Sequence, residues 1–332
     1  MKIGIPRALL YYDYFPMWET FFEELGHEVV VSTPTQKDIV NLGVSFCVDD
    51  ACLPVKLFHG HVINLIDKVD MIFIPRLVSI CQGEFICPKF IGLPEMIKNS
   101  IKGLPPLLIL DLNLHRSTDN LIKAYVEMGK KIGANSRKAI QAFRSASLKQ
   151  KEYEFRLRSG QTPLEIVNSR LSNRTIKGGG VVGVIGHPYL IFDSHASMNI
   201  IEKIREKGYK VIVPENVSDE QIDKYVSKLP KKLFWTYGKR LLGSSLFMLD
   251  NKKIDGMIFV SSFGCGIDSF MGELIQRFNG RKWKIPYTTI TLDEHTGEAG
   301  FETRLEAFLD MMKWREKGDS YVSTYGSSLY IY

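Results

Sequence analysis

Residues 2–32, KIGIPRALLYYDYFPMWETFFEELGHEVVVS, decide the fold class. Lys2–Pro6 is a short apolar run of strand length. From Tyr14 to Leu25 the apolar residues recur at helical spacing, and Gly26 stops the helix. His27 to Ser32 is again extended, built on three successive valines. Strand, helix and strand at this spacing make a βαβ unit, which requires a right-handed crossover and parallel pairing.

The same grammar continues outward. Val55–Ile66 reads as a helix, Asp70–Pro75 (DMIFIP) as a buried strand, Gly92–Ile101 as a helix and Leu107–Leu112 as a strand. From Leu114 to about Arg174 strand-like runs vanish, and charged residues alternate with Ala, Leu and Phe, the texture of a helical connector or cap. After the break at Gly178, Gly179 and Gly180 a second cycle starts: strand Val181–Ile185, helix Ser197–Lys207, strand Tyr209–Pro214, then strands Ile254–Val260 and Ile285–Leu292 and a helix to about Lys317. Its opening repeats the first, with KIGI set against VVGV and Leu10, Tyr12 and Asp13 against Leu190, Phe192 and Asp193. The expectation is an α/β protein of two similar Rossmann-like or flavodoxin-like parallel-sheet halves: a first α/β domain over 1–113, a helical connector over 114–177 and a second α/β domain over 178–332. The tail YVSTYGSSLYIY reads as an edge segment or a docking surface.

With 332 residues, two cores are expected over one. The formal charge of +6 is spread along the chain, so it does not mark a nucleic-acid binder. No apolar run reaches the length of a membrane span, and Pro6, Arg7 and Asp13 interrupt any secretory signal. These readings point to the cytoplasm, where thiols stay free for metal or chemistry. Five cysteines, an odd number, also fit a disulfide framework poorly.

Four of the five lie between Cys47 and Cys87. Cys52 and Cys87 each precede a turn proline, and Cys265 follows a strand between Gly264 and Gly266, so all three side chains belong to loops at strand ends, where α/β ligand sites collect. Three loops from two halves can meet at their interface. The spacings C-x4-C (Cys47, Cys52) and C-x5-C (Cys81, Cys87) are neither the close pairs of structural zinc nor a ferredoxin run. A buried structural thiol is the competing reading for Cys47. Spacing alone reaches a thiolate metal site and stops there.

The strings DDACLPVKLFHGHV, IFIPR followed by CPKFIGLPEMIK, SFGCG and LDEHTGEAGFETRLEAF together resemble the uncharacterised domain associated with CoA-substrate-specific enzyme activases. That family is similar to the iron-sulfur subunits of 2-hydroxyacyl-CoA dehydratases and benzoyl-CoA reductases and to double-cubane cluster proteins. The resemblance implies that Cys52, Cys87 and Cys265 ligate a 4Fe-4S cluster with one open iron, where a small-molecule substrate is reduced or dehydrated. It leaves an 8Fe-9S double cubane open, for which Cys47 and Cys81 would be further ligands, and five cysteines would then need one non-cysteine ligand. It also implies a separate ATP-dependent iron-sulfur activase as electron donor, since this chain has no Gly-rich phosphate loop. A homo- or heterodimer is compatible with it. The alternatives are an iron-sulfur electron-transfer or scaffold subunit without its own substrate site, and a zinc-stabilised binding protein.

Charged residues near these cysteines complete the candidates. Lys56 and His59 share a helix face and His61 turns away; a cation would stabilise a reduced cluster and a histidine deliver a proton, against the plainer reading of solvated or backbone-satisfied groups. In the closing motif, His295 and Glu298 with Asp293, Glu294 and Glu302 form acid-base machinery or, on the structural reading, a capping and salt-bridge network in which Thr303 or Glu302 opens the last helix and Arg304 locks a carboxylate. His187, Tyr189 and His195 follow the same logic.

Overall fold

The computed structural model describes residues 1–167 and 179–316. The first half holds strands β1 (Lys2–Ile5), β2 (Glu28–Val31), β3 (Met71–Ser79) and β4 (Leu107–Asn113), all parallel, in the order β2-β1-β3-β4. The second holds β5 (Val181–Ile185), β6 (Lys210–Ile212), β7 (Gly256–Ser262) and β8 (Tyr287–Leu292), also parallel, in the order β6-β5-β7-β8. The two orders are the same. In each sheet the chain steps from the first strand to the second on one side and then crosses to the third on the other, so each has a topological switch point, between β1 and β3 and between β5 and β7. Helices Asn120–Lys131, Ser136–Arg158 and Pro163–Val167 lie between the halves in sequence. Gly178 and the aromatic tail lie outside the described residues.

The strand β3 runs past Pro75, where a proline would be expected to end a central strand. It is tolerated because β1 pairs with β3 only at Met71 and Ile72. Beyond that point only β4 pairs with β3, and an amide on the other side is not needed. A helix at Lys37–Phe46, absent from the sequence pattern, packs on Leu53–Leu65 through two glycines. A Cβ on Gly43 would lie 2.1 Å from the Lys56 carbonyl oxygen, and one on Gly60 2.1 Å from that of Ile39. That close crossing fixes the helix carrying Lys56 and, at its N-cap, Cys52.

One hydrophobic core runs through both halves, taking in Ile3, Phe73 and Leu110 from the first and Val184, Ile258 and Phe301 from the second. A smaller one around Leu242, Phe259 and Ile275 belongs to the second half. The halves are also stitched by backbone: Phe85 and Trp235 form a parallel bridge, with Phe85 N–H donating to Phe234 (2.7 Å) and Thr236 N–H to Phe85 (2.9 Å). The final helix starts at Glu298, several residues before Thr303, whose hydroxyl donates to Ala299 inside it. No helix among the described residues is long and apolar enough to cross a membrane.

Candidate metal centre

Every candidate ligand follows the C-terminal end of a strand or caps a helix. Cys52 is the N-cap of Leu53–Leu65, Cys87 of Pro88–Ile91, His187 of Pro188–Ile191 and Cys265 of Gly266–Phe278. First-turn amides face the thiols, the N–H of Val55 toward Cys52, of Lys89 toward Cys87 and of Asp268 toward Cys265, and each favours the thiolate. The prolines of CLP and CP explain part of the local geometry: Pro54 and Pro88 suit the first turns of their helices, and Pro88 keeps Cys87 directly before it out of the helical conformation. At 13 residues each, the helices behind Cys52 and Cys265 present amide dipoles that favour negative charge.

The two halves bring these caps together. Leu53 N–H donates to Ser262 Oγ (3.2 Å), binding the Cys52 loop to the end of β7. Gly264 has φ +76°, and a Cβ there would lie 3.6 Å from the Asp50 carbonyl oxygen and 3.9 Å from Cys52 N, so the SFGCG turn rests on the Cys52 loop in a backbone state suited to glycine. Burial pushes the Cys52 thiol up, and so does the nearby Cys87, against the Lys89 cation. Burial likewise raises Cys87, against Lys89. Cys265 is raised strongly, by burial first, then by the Asp268 carboxylate and by Cys52. Cys47, also raised by burial, feels Lys56 and Cys52. Cys81 is raised by burial and by Glu84, and its other charged neighbours are Lys239, Arg240 and Asp219, in another part of the interface.

Beside Cys265 stands a group capable of holding a metal ion: ligand atoms of His187, Cys265 and Asp268 lie within 4.8 Å of one another. His187 and Asp268 are buried. Asp268 Oδ2 accepts Ser262 N–H (3.0 Å), while Oδ1 is 2.9 Å from His187 Nε2 but off the line a hydrogen bond requires. Both imidazole nitrogens and that oxygen are therefore without a hydrogen-bond partner. The His187 ring stacks on Tyr189 (4.8 Å, 16°) and meets Tyr237 edge-on (5.4 Å). Thiols raised by burial become ligands only when a cation compensates the thiolate, and the orphaned acceptors have the same need. Soft thiolate donors suit iron-sulfur clusters or zinc. The donor set fits a thiolate-held metal. Ligands of a cube stand at separate corners, farther apart than those of one ion, so the two kinds of site make different demands on Cys265.

The charged candidates divide. Lys56 is buried and its ammonium meets Glu294, a contact that joins the halves next to Cys52. Burial pushes the Glu294 carboxyl up, but the hydrogen bond and charge of Lys56, with a backbone donor and His295, hold it below the usual range. The carboxylate lock between the halves is thus made by Lys56, where the sequence pointed to Arg304. His59 Nδ1 donates to Val55 (2.8 Å) in its own helix, and burial lowers its pKa. His61 bonds Ser32 Oγ (2.9 Å) and Thr35 Oγ1 (3.0 Å), and burial holds it down to about 3. His295 is exposed, its backbone N–H on Asp293 Oδ1 (3.0 Å). Glu298 is exposed and pairs with Lys203 (2.7 Å), which also takes Glu302 (2.8 Å). His195 gives its backbone N–H to Asp193 (3.0 Å).

Two residues escaped the sequence reading. Asp268 carries a signal of its own, an acid three residues after an N-cap, where first-turn carboxylates bond free amides. Lys89 lies two residues past Cys87 and acts on Cys47, Cys52 and Cys87 alike.

No curated protein matches the chain. Among solved structures it is similar to a LacI family transcriptional regulator from Arthrobacter sp. FB24 in complex with lactose (10% identity, 98% of this chain and 94% of that one, TM-score 0.20) and to a sugar transporter from Clostridium phytofermentans (13%, 96% and 94%, 0.19). A D-lactate dehydrogenase from Escherichia coli also aligns (13%, 96% and 98%, 0.17). Similarity at these scores carries no argument. Residues 2–217, well over half of the sequence, match the family described as CoA enzyme activase uncharacterised domain (DUF2229). The chain belongs to the CoA enzyme activase uncharacterised domain family.

Proposed function

We propose that this protein holds a 4Fe-4S cluster on Cys52, Cys87 and Cys265 between its halves, is reduced by a separate ATP-dependent activase, and acts as a low-potential reductase or 2-hydroxyacyl-CoA dehydratase-like component on a small molecule. The carrying observation is that three half-buried thiols sit at helix N-termini from both halves, face the amides of the first turns, and include Cys52, which feels the charge of Cys87 and acts on Cys265. The family's description, which ties it to a CoA enzyme activase, supports the partner.

Such a cluster supplies a low-potential electron and, with three protein thiolates for four irons, one iron with room for a small molecule. The chain's own residues shape the surroundings. Lys89 and the helix N-termini offset the thiolate charge. Lys56, fixed by Glu294, holds the Cys52 helix against the second half. No Cβ projects from Gly266, where a side chain would meet open space, so the approach beside Cys265 is clear. His187, with both ring nitrogens unspent and Asp268 beside it, is the polar group at hand.

A second reading has its own observation: His187, Cys265 and Asp268 are close enough for one ion, such as zinc. The test is iron, zinc and acid-labile sulfide content after anaerobic purification and reconstitution. Iron and sulfide in equal amounts, lost on substituting Cys52, Cys87 or Cys265, are expected. Iron-free protein with one zinc, lost in His187→Ala but retained in Cys87→Ser, favours the second reading. An activase that changes the cluster's EPR signal only with ATP tests the partner.

A further inference from the structure

We propose that the space between the helix Tyr11–Glu24, the connector helix Ser136–Arg158 and the Pro214–Glu215 turn is a binding site for a small ligand with an apolar body, about one aromatic ring in size, that ends in a protonated amino group. The site is separate from the metal centre and does not rest on the function proposed for it.

The apolar part is a cavity of about 280 Å³ walled by Trp18, Leu110 and Leu112 from the first half and by Tyr125 and the long helix of the connector, with Ser147 at its edge. That is close to the lower end of ordinary small-molecule pockets, roughly 300 Å³. Tyr14, Gln150 and Glu154 line both this cavity and a polar recess of about 80 Å³, so the two spaces meet at those residues.

In the recess the cations are already engaged. Arg240 pairs with Asp13 (3.3 Å) and Arg158 with Asp219 (3.2 Å). Glu154 accepts from Gln150 Nε2 (3.2 Å), which leaves Glu215 facing these groups with no cation of its own. Glu215 is 8% exposed and neither carboxyl oxygen has a hydrogen-bond partner; Gln150 is 7% exposed and its Oε1 has none. The fully buried unmet side-chain atoms of the recess, both Glu215 oxygens and Gln150 Oε1, are thus all oxygens. A ligand ending in N–H donors satisfies them, and one ending in a carboxylate meets Glu215 and Glu154 head on. Burial holds the Glu215 carboxyl up to about 7, offset by Arg240 and reinforced by Asp13, so a cationic head also lets it ionise.

The test is calorimetric titration of the full-length protein, as purified with its metal, using three probes of one shape: phenethylamine, 2-phenylethanol and 3-phenylpropanoate. Phenethylamine is expected to bind at least tenfold more tightly than the alcohol, with the acid weakest. Glu215→Gln should weaken the amine at least tenfold and leave the alcohol unchanged. Ser147→Trp, at the half-buried edge of the cavity, should weaken amine and alcohol alike. The proposal is overturned if no probe binds, if the acid binds as well as the amine, if Glu215→Gln leaves the amine's affinity intact, or if folded Ser147→Trp binds both unchanged.

Discussion

The two halves are one plan used twice, and matching them element by element shows where they part. Asp13, after β1, accepts from Tyr237 (2.9 Å) and Arg240 in the second half; Asp193, after β5, accepts from Tyr12 (3.3 Å) and Thr35 in the first. Lys56, in the helix before β3, reaches across to Glu294, and Lys239, in the helix before β7, reaches back to Glu84. Two cross-junctions result. At one, the Cys52 cap meets the end of β7 and Cys265; at the other, the equivalent cap is Trp235 and meets Phe85 beyond β3. Thr35, after Pro34, bonds His61 and Asp193, while Glu215, after Pro214, has no bonding partner. Common backbone geometry therefore carries a thiol site at one junction and a packed aromatic joint with an acidic recess nearby at the other.

The largest test of that division is the cysteines themselves. Cys52→Ser, Cys87→Ser and Cys265→Ser are each expected to lose most bound metal, measured as iron per chain, because each removes a thiol from the same junction. Cys81→Ser, whose neighbours are Glu84 and Lys239, is expected to retain it. Loss of half the iron in Cys81→Ser would mean that the cluster extends toward the second junction and is the larger kind.

The paired aspartates come next. Asp13→Asn strands Arg240, and the cost in urea unfolding is about 3 kcal/mol, the low end for a broken buried pair because Arg240 is partly exposed. Glu215 gives a pH signature at the same junction. Its folded pKa of about 7 lies above the ordinary 4.5, so the folded state keeps its proton longer. Stability is then greatest below the ordinary value and falls as pH rises through about 7, by on the order of 3 kcal/mol, and levels off once the folded carboxyl has ionised. Glu215→Gln should flatten that slope. At the other junction Asp193 meets neutral partners, and Asp193→Asn costs about 1 kcal/mol. Equal costs for Asp13→Asn and Asp193→Asn would erase the distinction between charged and neutral junctions.

How much of this could be read from sequence follows from what each feature depends on. The strands were legible because valine and isoleucine runs are bounded by Gly, Pro and charge, and β5 ends where its pattern does. The helix Lys37–Phe46 was not, since only Ile39 and Gly43 are buried and a glycine contact has no hydrophobic signature. The loop placement of Cys52, Cys87 and Cys265 was visible in CLP, CP and GCG. The unspent state of His187 was not, because it depends on the angle at which the Asp268 carboxylate approaches it in space. The partner of Lys56 lies 238 residues away, and among the acids of the closing motif nothing local singles out Glu294.

That same motif supplies the smallest effect. Glu294 and Glu298 are four residues apart, yet one is half-buried at the thiol junction and the other stands in solvent. Glu298 is held below the usual carboxylate range by its hydrogen bond to Lys203, whose ammonium also takes Glu302. Glu298→Ala leaves Lys203 with a partner and opens no cavity. Metal content, unfolding midpoint and any activase-coupled turnover should therefore match the parent protein, as exposed ion pairs contribute little. A drop in turnover with metal and midpoint intact would return Glu298 to an acid-base role and move the working part of the motif from the Lys56 contact to the protein surface.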